Sequence, residues 1–97
     1  MELQNLQQKS GLTIQESSLR ASIVLAFERT RTEAFDITSM ITDIQTEFPR
    51  IDISDIQEAI RKGSLGKYGA TYKLSTQIVC IWIREYLKEK NKNRSII

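Results

Sequence analysis

Gln77-Ile78-Val79-Cys80-Ile81-Trp82-Ile83-Arg84-Glu85-Tyr86-Leu87-Lys88-Glu89-Lys90 is the stretch whose conformation decides the fold of this 97-residue chain. Its apolar core, Ile78 to Ile83, is rich in β-branched and aromatic side chains, a composition that suits a strand. A run this short is not typed by periodicity alone. Paired with Thr71–Leu74 it would make a hairpin, such as the wing of a winged helix. The following residues, Arg84 to Lys90, are good helix formers, and neither Gly nor Pro separates the two parts. Continuity therefore favours a single helix, capped by Ser75 and running to about Lys90. Ile78, Val79, Ile81, Trp82, Ile83, Tyr86 and Leu87 would cover more than one of its faces. Such a helix is buried on most sides or turns one side to a partner.

Upstream, the hydrophobic spacing repeats the helical theme. Thr13 and Glu16 form a capping-box pattern. Leu19, Ile23, Ala26 and Phe27 then make one helical stripe, predicting a helix over about 13–31. Asp36 is a good N-cap for a second helix with Ile37, Met40, Ile41, Ile44 and Phe48 on its apolar side. Pro49 disfavours helical geometry in the residue before it, which stops that helix near Glu47. Asp52 or Ser54 caps a third helix that turns Ile53, Ile56, Ala59 and Ile60 inward. Arg61 and Lys62 suit the negative end of its dipole, and Gly63 supplies the left-handed residue expected just past its end. Leu65–Tyr72, with Gly66 and Gly69, reads either as a short helix or as a loop. The expectation is an all-α fold, a compact bundle of four to five helices forming one domain over 1–97, with 1–11 and 91–97 frayed.

Composition narrows the chemistry. There is no histidine, which removes the commonest general base and metal ligand, and a single cysteine, which allows no intrachain disulfide. One cysteine cannot make a zinc site with the usual nitrogen and sulfur ligands, and Gly63-Ser-Leu-Gly66-Lys-Tyr-Gly69 falls short of the Walker A phosphate-binding spacing. Cys80 lies inside the apolar run, where a thiol behaves as a small hydrophobe. The expectations are no catalysis, no cofactor and no metal. No signal-peptide pattern opens the chain and no apolar run approaches the ~20 residues of a membrane span, so a cytoplasmic location is expected.

Charge is unevenly spread. Residues 1–60 carry five Lys/Arg against ten Asp/Glu, and residues 61–97 carry nine against two. Such asymmetry either draws the two parts together or marks a surface for an anionic partner.

Leu65 to Arg84 can be laid onto the helix-turn-helix pattern. Gly69 takes the small position where the two helices cross, with Tyr68 and Tyr72 flanking it on the packing side. Leu74 is the apolar turn residue, Ser75 the polar cap, and Val79 and Trp82 the buried positions of the second helix. Tyr68-Gly69-Ala-Thr-Tyr72-Lys-Leu74-Ser75-Thr-Gln-Ile-Val79-Cys-Ile-Trp82-Ile83-Arg-Glu-Tyr86 resembles helix-turn-helix segments of transposase and phage type. The longer run from Ile53 through Tyr86 looks like small helical proteins encoded near replication functions on bacterial mobile elements. The resemblance covers about a third of the chain, and Lys73 departs from it by standing where such turns prefer glycine.

That resemblance implies a non-enzymatic DNA-binding protein, a regulator or replication accessory of a mobile element. On it, Ser75, Thr76, Gln77, Cys80 and Arg84 face outward on a recognition helix, where Gln and Arg suit base edges. Lys67, Lys73, Lys88 and the basic tail, Asn91–Ile97, would hold phosphates. Ile81 would also lie on this reading face. Two other readings stay open. One is a helical interaction or oligomerisation module that buries the wide apolar face of the last helix on another helix or a second copy. The other is an RNA-binding module that stacks bases on Tyr68, Tyr72 and Tyr86.

Overall fold

The computed structural model describes the backbone of residues 14–96 and the side chains of 16–92. Within it the chain is all-helical: α1 (Ile14–Arg29), α2 (Ile37–Glu47), α3 (Ile53–Ser64) and α4 (Thr76–Ile96). The run around Ile78–Ile83 lies inside α4, so the hairpin alternative does not occur. Thr13, the cap expected for the first helix, and the expected fraying of 1–11 lie outside the described residues.

Helix α1 packs on α3 and α2, and α4 packs on α3 and α2, so the four close into a ring. Its centre is filled by Leu19, Ile23 and Phe27 of α1, Met40 and Ile44 of α2, Ile56 and Ile60 of α3, and Val79, Trp82 and Ile83 of α4. Leu74, just before α4, joins this core. These are the residues whose three-four spacing marks the apolar stripes, because burial of that stripe is what stabilises helices this short.

Caps explain where the helices start. Asp36 accepts from the Ser39 amide (3.0 Å) and hydroxyl (2.7 Å), and these bonds hold its carboxyl below the usual range. Helix α2 ends at Glu47, with Phe48 as its cap ahead of Pro49. Asp52 occupies the N-cap of α3 through its backbone only; its carbonyl accepts from Asp55 and Ile56. Ser75 Oγ accepts from the Ile78 amide at 3.3 Å and so starts α4.

The helix ends bring two corrections. Gly63 does not terminate α3; it sits inside the helix, buried beneath Trp82. A Cβ built on it would lie 2.0 Å from the indole Cδ2, so only glycine admits the ring. The left-handed residue is Gly66 (φ +93°), three positions later. There the Gly66 amide donates to the Gly63 carbonyl and the Lys67 amide to the Lys62 carbonyl, both at 3.0 Å, which is a Schellman ending. Arg31 (φ +57°) closes α1 in the same way, with the Thr32 amide donating to Phe27 and the Arg31 amide to Glu28. A non-glycine residue there costs about 1 kcal/mol.

Residues 65–75 are turns and loop rather than a short helix. The loop is pinned by a hydrogen-bond relay. The Leu74 amide donates to Thr32 Oγ1 (2.8 Å), which lies 3.0 Å from Thr30 Oγ1, and Thr30 donates to the Ala26 carbonyl (2.9 Å). Beyond Lys90 helix α4 continues to Ile96, because Asn91-Lys92-Asn93-Arg94 contains nothing that stops a helix.

Gly63→Ala is expected to destabilise the fold by about 1–3 kcal/mol through overpacking against Trp82. Gly66→Ala meets open space and should lose only about 1 kcal/mol, through its positive φ. Urea unfolding of the two variants checks the order; a Gly63→Ala protein as stable as the parent contradicts the close approach.

Candidate nucleic-acid interface

Helix α4 has one buried and one open side. Val79, Trp82 and Ile83 are buried, with Tyr86 and Leu87 half-buried beside them. Opposite them, Gln77, Ile81, Arg84, Lys88 and Lys92 are exposed, at offsets of four, seven, eleven and fifteen from Gln77. At 3.6 residues per turn these fall in a single stripe along the helix. Asn91 lies on its edge and Glu85 is the acid of the opposite edge. The stripe is thus polar and basic, with Ile81 (43% exposed) its one apolar member.

Three of the residues expected to contact DNA, Gln77, Arg84 and Lys88, are brought together on this face. Lys73 is exposed in the loop just before it, and among the described residues it makes no ion pair. Ser75 is half-buried, its hydroxyl committed to capping, and Thr76 is half-buried beside the groove between α2 and α4. Lys67 lies on another side, toward α3, where its Nζ is 3.6 Å from Glu89.

The helix-turn-helix placement itself is corrected in four respects. The segment expected to be its first helix is loop, and α3 and α4 are separated by residues 65–75 instead of the three or four residues of such a turn. Gly69 (φ +112°) is exposed with open space around it, so it makes no helix crossing. Tyr72 points into solvent (89% exposed), not into packing. Cys80 is buried at the α2–α4 groove rather than facing outward, and burial pushes its thiol up, away from reactive thiolate. Ile81 does face solvent, as the pattern placed it.

Electrostatics divide the basic side chains into held and available groups. Lys90 Nζ donates to both oxygens of Asp55 at 2.9 Å, and Tyr86 donates to the same carboxylate at 3.2 Å. Asp55 is mostly shielded, with 17% of its side chain exposed. Lys62 lies 5.2 Å from the Tyr86 ring centre. By contrast, Arg84 meets Glu47 at 3.1 Å and Lys88 meets Glu85 at 3.3 Å with both partners well exposed. Exposed pairs contribute about 1 kcal/mol or less and yield readily to a competing anion. Arg84 also stacks 5.6 Å from the Phe48 ring centre, which fixes its guanidinium at the α2 edge. Asp43 and Glu47 line the groove there with Thr76 and Gln77, so one border of the stripe is acidic.

Lys92 belongs to the basic tail expected to meet phosphates; the helix runs past the expected end at Lys90 and so places it on the same stripe, fifteen residues after Gln77. Among the described residues no cluster of metal-ligating side chains occurs, and no helix is long and apolar enough to cross a membrane. No family model, curated protein or solved structure matches the chain.

The polar clamp between the 65–75 loop and α4 has a pH signature. Tyr68 donates to Glu89 at 2.9 Å. Burial first, and this hydrogen bond second, push the phenol well above its ordinary value of 10.0, while the bond holds Glu89 below 4.5. The folded state therefore keeps the Tyr68 proton longer than the unfolded chain, and stability falls as pH rises above about 10. The Glu89 contribution is present above its unfolded pKa and is lost as pH falls through the depressed one. Urea midpoints in Tyr68→Phe should fall less steeply than in the parent on both flanks. Parallel profiles contradict the coupling.

Proposed function

We propose that this chain is a non-enzymatic DNA-binding protein that meets its target with the open face of α4. The observation that carries the reading is the composition of that face. Gln77, Arg84, Lys88 and Lys92 line up over four turns of one helix, with Lys73 just ahead of it. Gln and Arg are the side chains suited to base edges, and Lys to phosphates. The capping of α4 by Ser75 and the seating of Trp82 hold the face rigidly, which favours a defined register on a duplex. The carboxylates opposite Arg84 and Lys88 are exposed partners that phosphates replace at small cost. The reading does not depend on a helix-turn-helix; it needs only a helix presented to a groove.

A second reading is a protein-interaction module, favoured by one observation: Ile81 is exposed at the middle of the same stripe. The two readings make opposite demands on that residue. A DNA surface gains from a cation there, whereas an apolar interface loses.

Fluorescence anisotropy of a labelled mixed-sequence duplex tests both. With about three phosphates engaged, by Lys73, Lys88 and Lys92, log K should fall with log salt at a slope of about −3. Arg84→Ala/Lys88→Ala should weaken binding and flatten the slope by about one, from the lysine, while Ile81→Lys should strengthen it. Absence of binding at low salt, or an unchanged slope in the double variant, contradicts the assignment.

A further inference from the structure

Two loops meet at one end of the bundle, and the open face of α4 does not account for what they expose. The Leu74 amide donates to Thr32 Oγ1 at 2.8 Å, joining the 65–75 loop to the end of α1. Arg31 and Lys73 each stand one residue before a member of that pair, and Tyr72 two before it. Both cations are exposed and, among the described residues, make no ion pair. Tyr72 leaves 89% of its surface in water, while Tyr68 and Tyr86 are hydrogen-bonded and packed between the 65–75 loop, α3 and α4. Of the three tyrosines expected to offer rings for stacking, only Tyr72 offers one. Arg31 stands at the left-handed residue that ends α1.

We infer that Tyr72, with Arg31 and Lys73, holds an unpaired nucleotide, so that the DNA selected is a duplex carrying a single-stranded segment. The inference rests on the DNA reading above and narrows its substrate. The ring stacks on a base and the two cations take the adjoining phosphates; base–aromatic stacking beside cations is how sequence-tolerant single-strand sites work. Tyr72 and Lys73 lie in the loop that leads directly into α4, four and three residues before its first residue, Thr76. Glu28 and Glu33 are the nearest acids in sequence, and they flank Arg31, not Tyr72. A protein partner fits less well. A ring that anchors a protein interface needs a surrounding rim that excludes water. The chain neighbours of Tyr72 are Thr71 and Lys73, and the exposed Phe35 is already engaged edge-on by Phe27 at 5.3 Å.

The test is anisotropy with three labelled DNAs: a blunt duplex, the same duplex with a short single-stranded tail, and the single strand. The parent protein should bind the tailed duplex about tenfold more tightly than the blunt one, the scale of one stacked base. Tyr72→Ala should abolish that preference and leave blunt-duplex affinity unchanged, and Tyr72→Trp should keep it. Equal affinity for tailed and blunt duplex, or a preference that survives Tyr72→Ala, overturns the inference while salt-dependent duplex binding still stands. Binding of none of the three at low salt overturns both readings. Binding of the single strand alone, lost in Tyr72→Ala, supports the stacking site and removes the duplex face.

Discussion

The seating of Trp82 on Gly63 is the contact on which the arrangement of the whole C-terminal part depends. The indole is the largest fully buried side chain, and the α3 backbone must come close enough that a Cβ at residue 63 would overlap it. This one approach fixes the rotation of α4 about its own axis. With Trp82 inward, Val79, Ile83 and Tyr86 must face the bundle, and Gln77, Arg84 and Lys88 must face solvent. The polar clamps of Asp55 with Tyr86 and Lys90, and of Glu89 with Tyr68, surround the apolar contact and are compatible with no other rotation. In a chain of 97 residues, whose core is necessarily modest, one large ring therefore sets both the packing and the chemistry that remains outside.

The imbalance of charge along the chain is partly spent within it and partly presented. Lys90 bridges the basic part to the acidic Asp55 in a shielded, two-pronged contact, and that cation is committed to the fold. Arg84–Glu47 also joins the two parts, but in water, where the pair is weak. A shielded contact between the two parts of the chain and exposed, loosely paired cations thus coexist, at different depths. The acids Asp43 and Glu47 along α2 give the α4 face a direction, since an incoming polyanion is repelled along that border.

Much of the fold was legible in the sequence because local rules and the burial requirement agreed. Asp36 and Pro49 bound α2, Ser75 opens α4, and Val79 and Trp82 are core as expected. The glycines were misread because their roles are set at long range. Stop rules point to Gly63 as the first glycine after an apolar stripe, but Trp82, nineteen residues on, claims it for packing and leaves Gly66 to end the helix. The helix-turn-helix pattern likewise asked for a small residue at a close crossing and found Gly69, when the crossing is at Gly63. Of the candidate site, Gln77 and Arg84 were expected to face outward, and Lys88 and the basic tail that holds Lys92 to meet phosphates; what no local signal marks is the continuation of the helix past Lys90, which puts Lys92 on the same stripe. Nothing in the sequence marks Arg31 as left-handed, since arginine is not a residue that favours that region.

Trp82 is the only tryptophan of the chain, so acrylamide quenching of its fluorescence reports directly on the contact that orients α4. The account predicts blue-shifted emission that resists quenching in the native protein and becomes fully quenchable only on unfolding in urea. Emission like that of free indole, quenched freely under native conditions, would mean that Trp82 is not seated on α3 and that the outward face assigned to α4 is wrong.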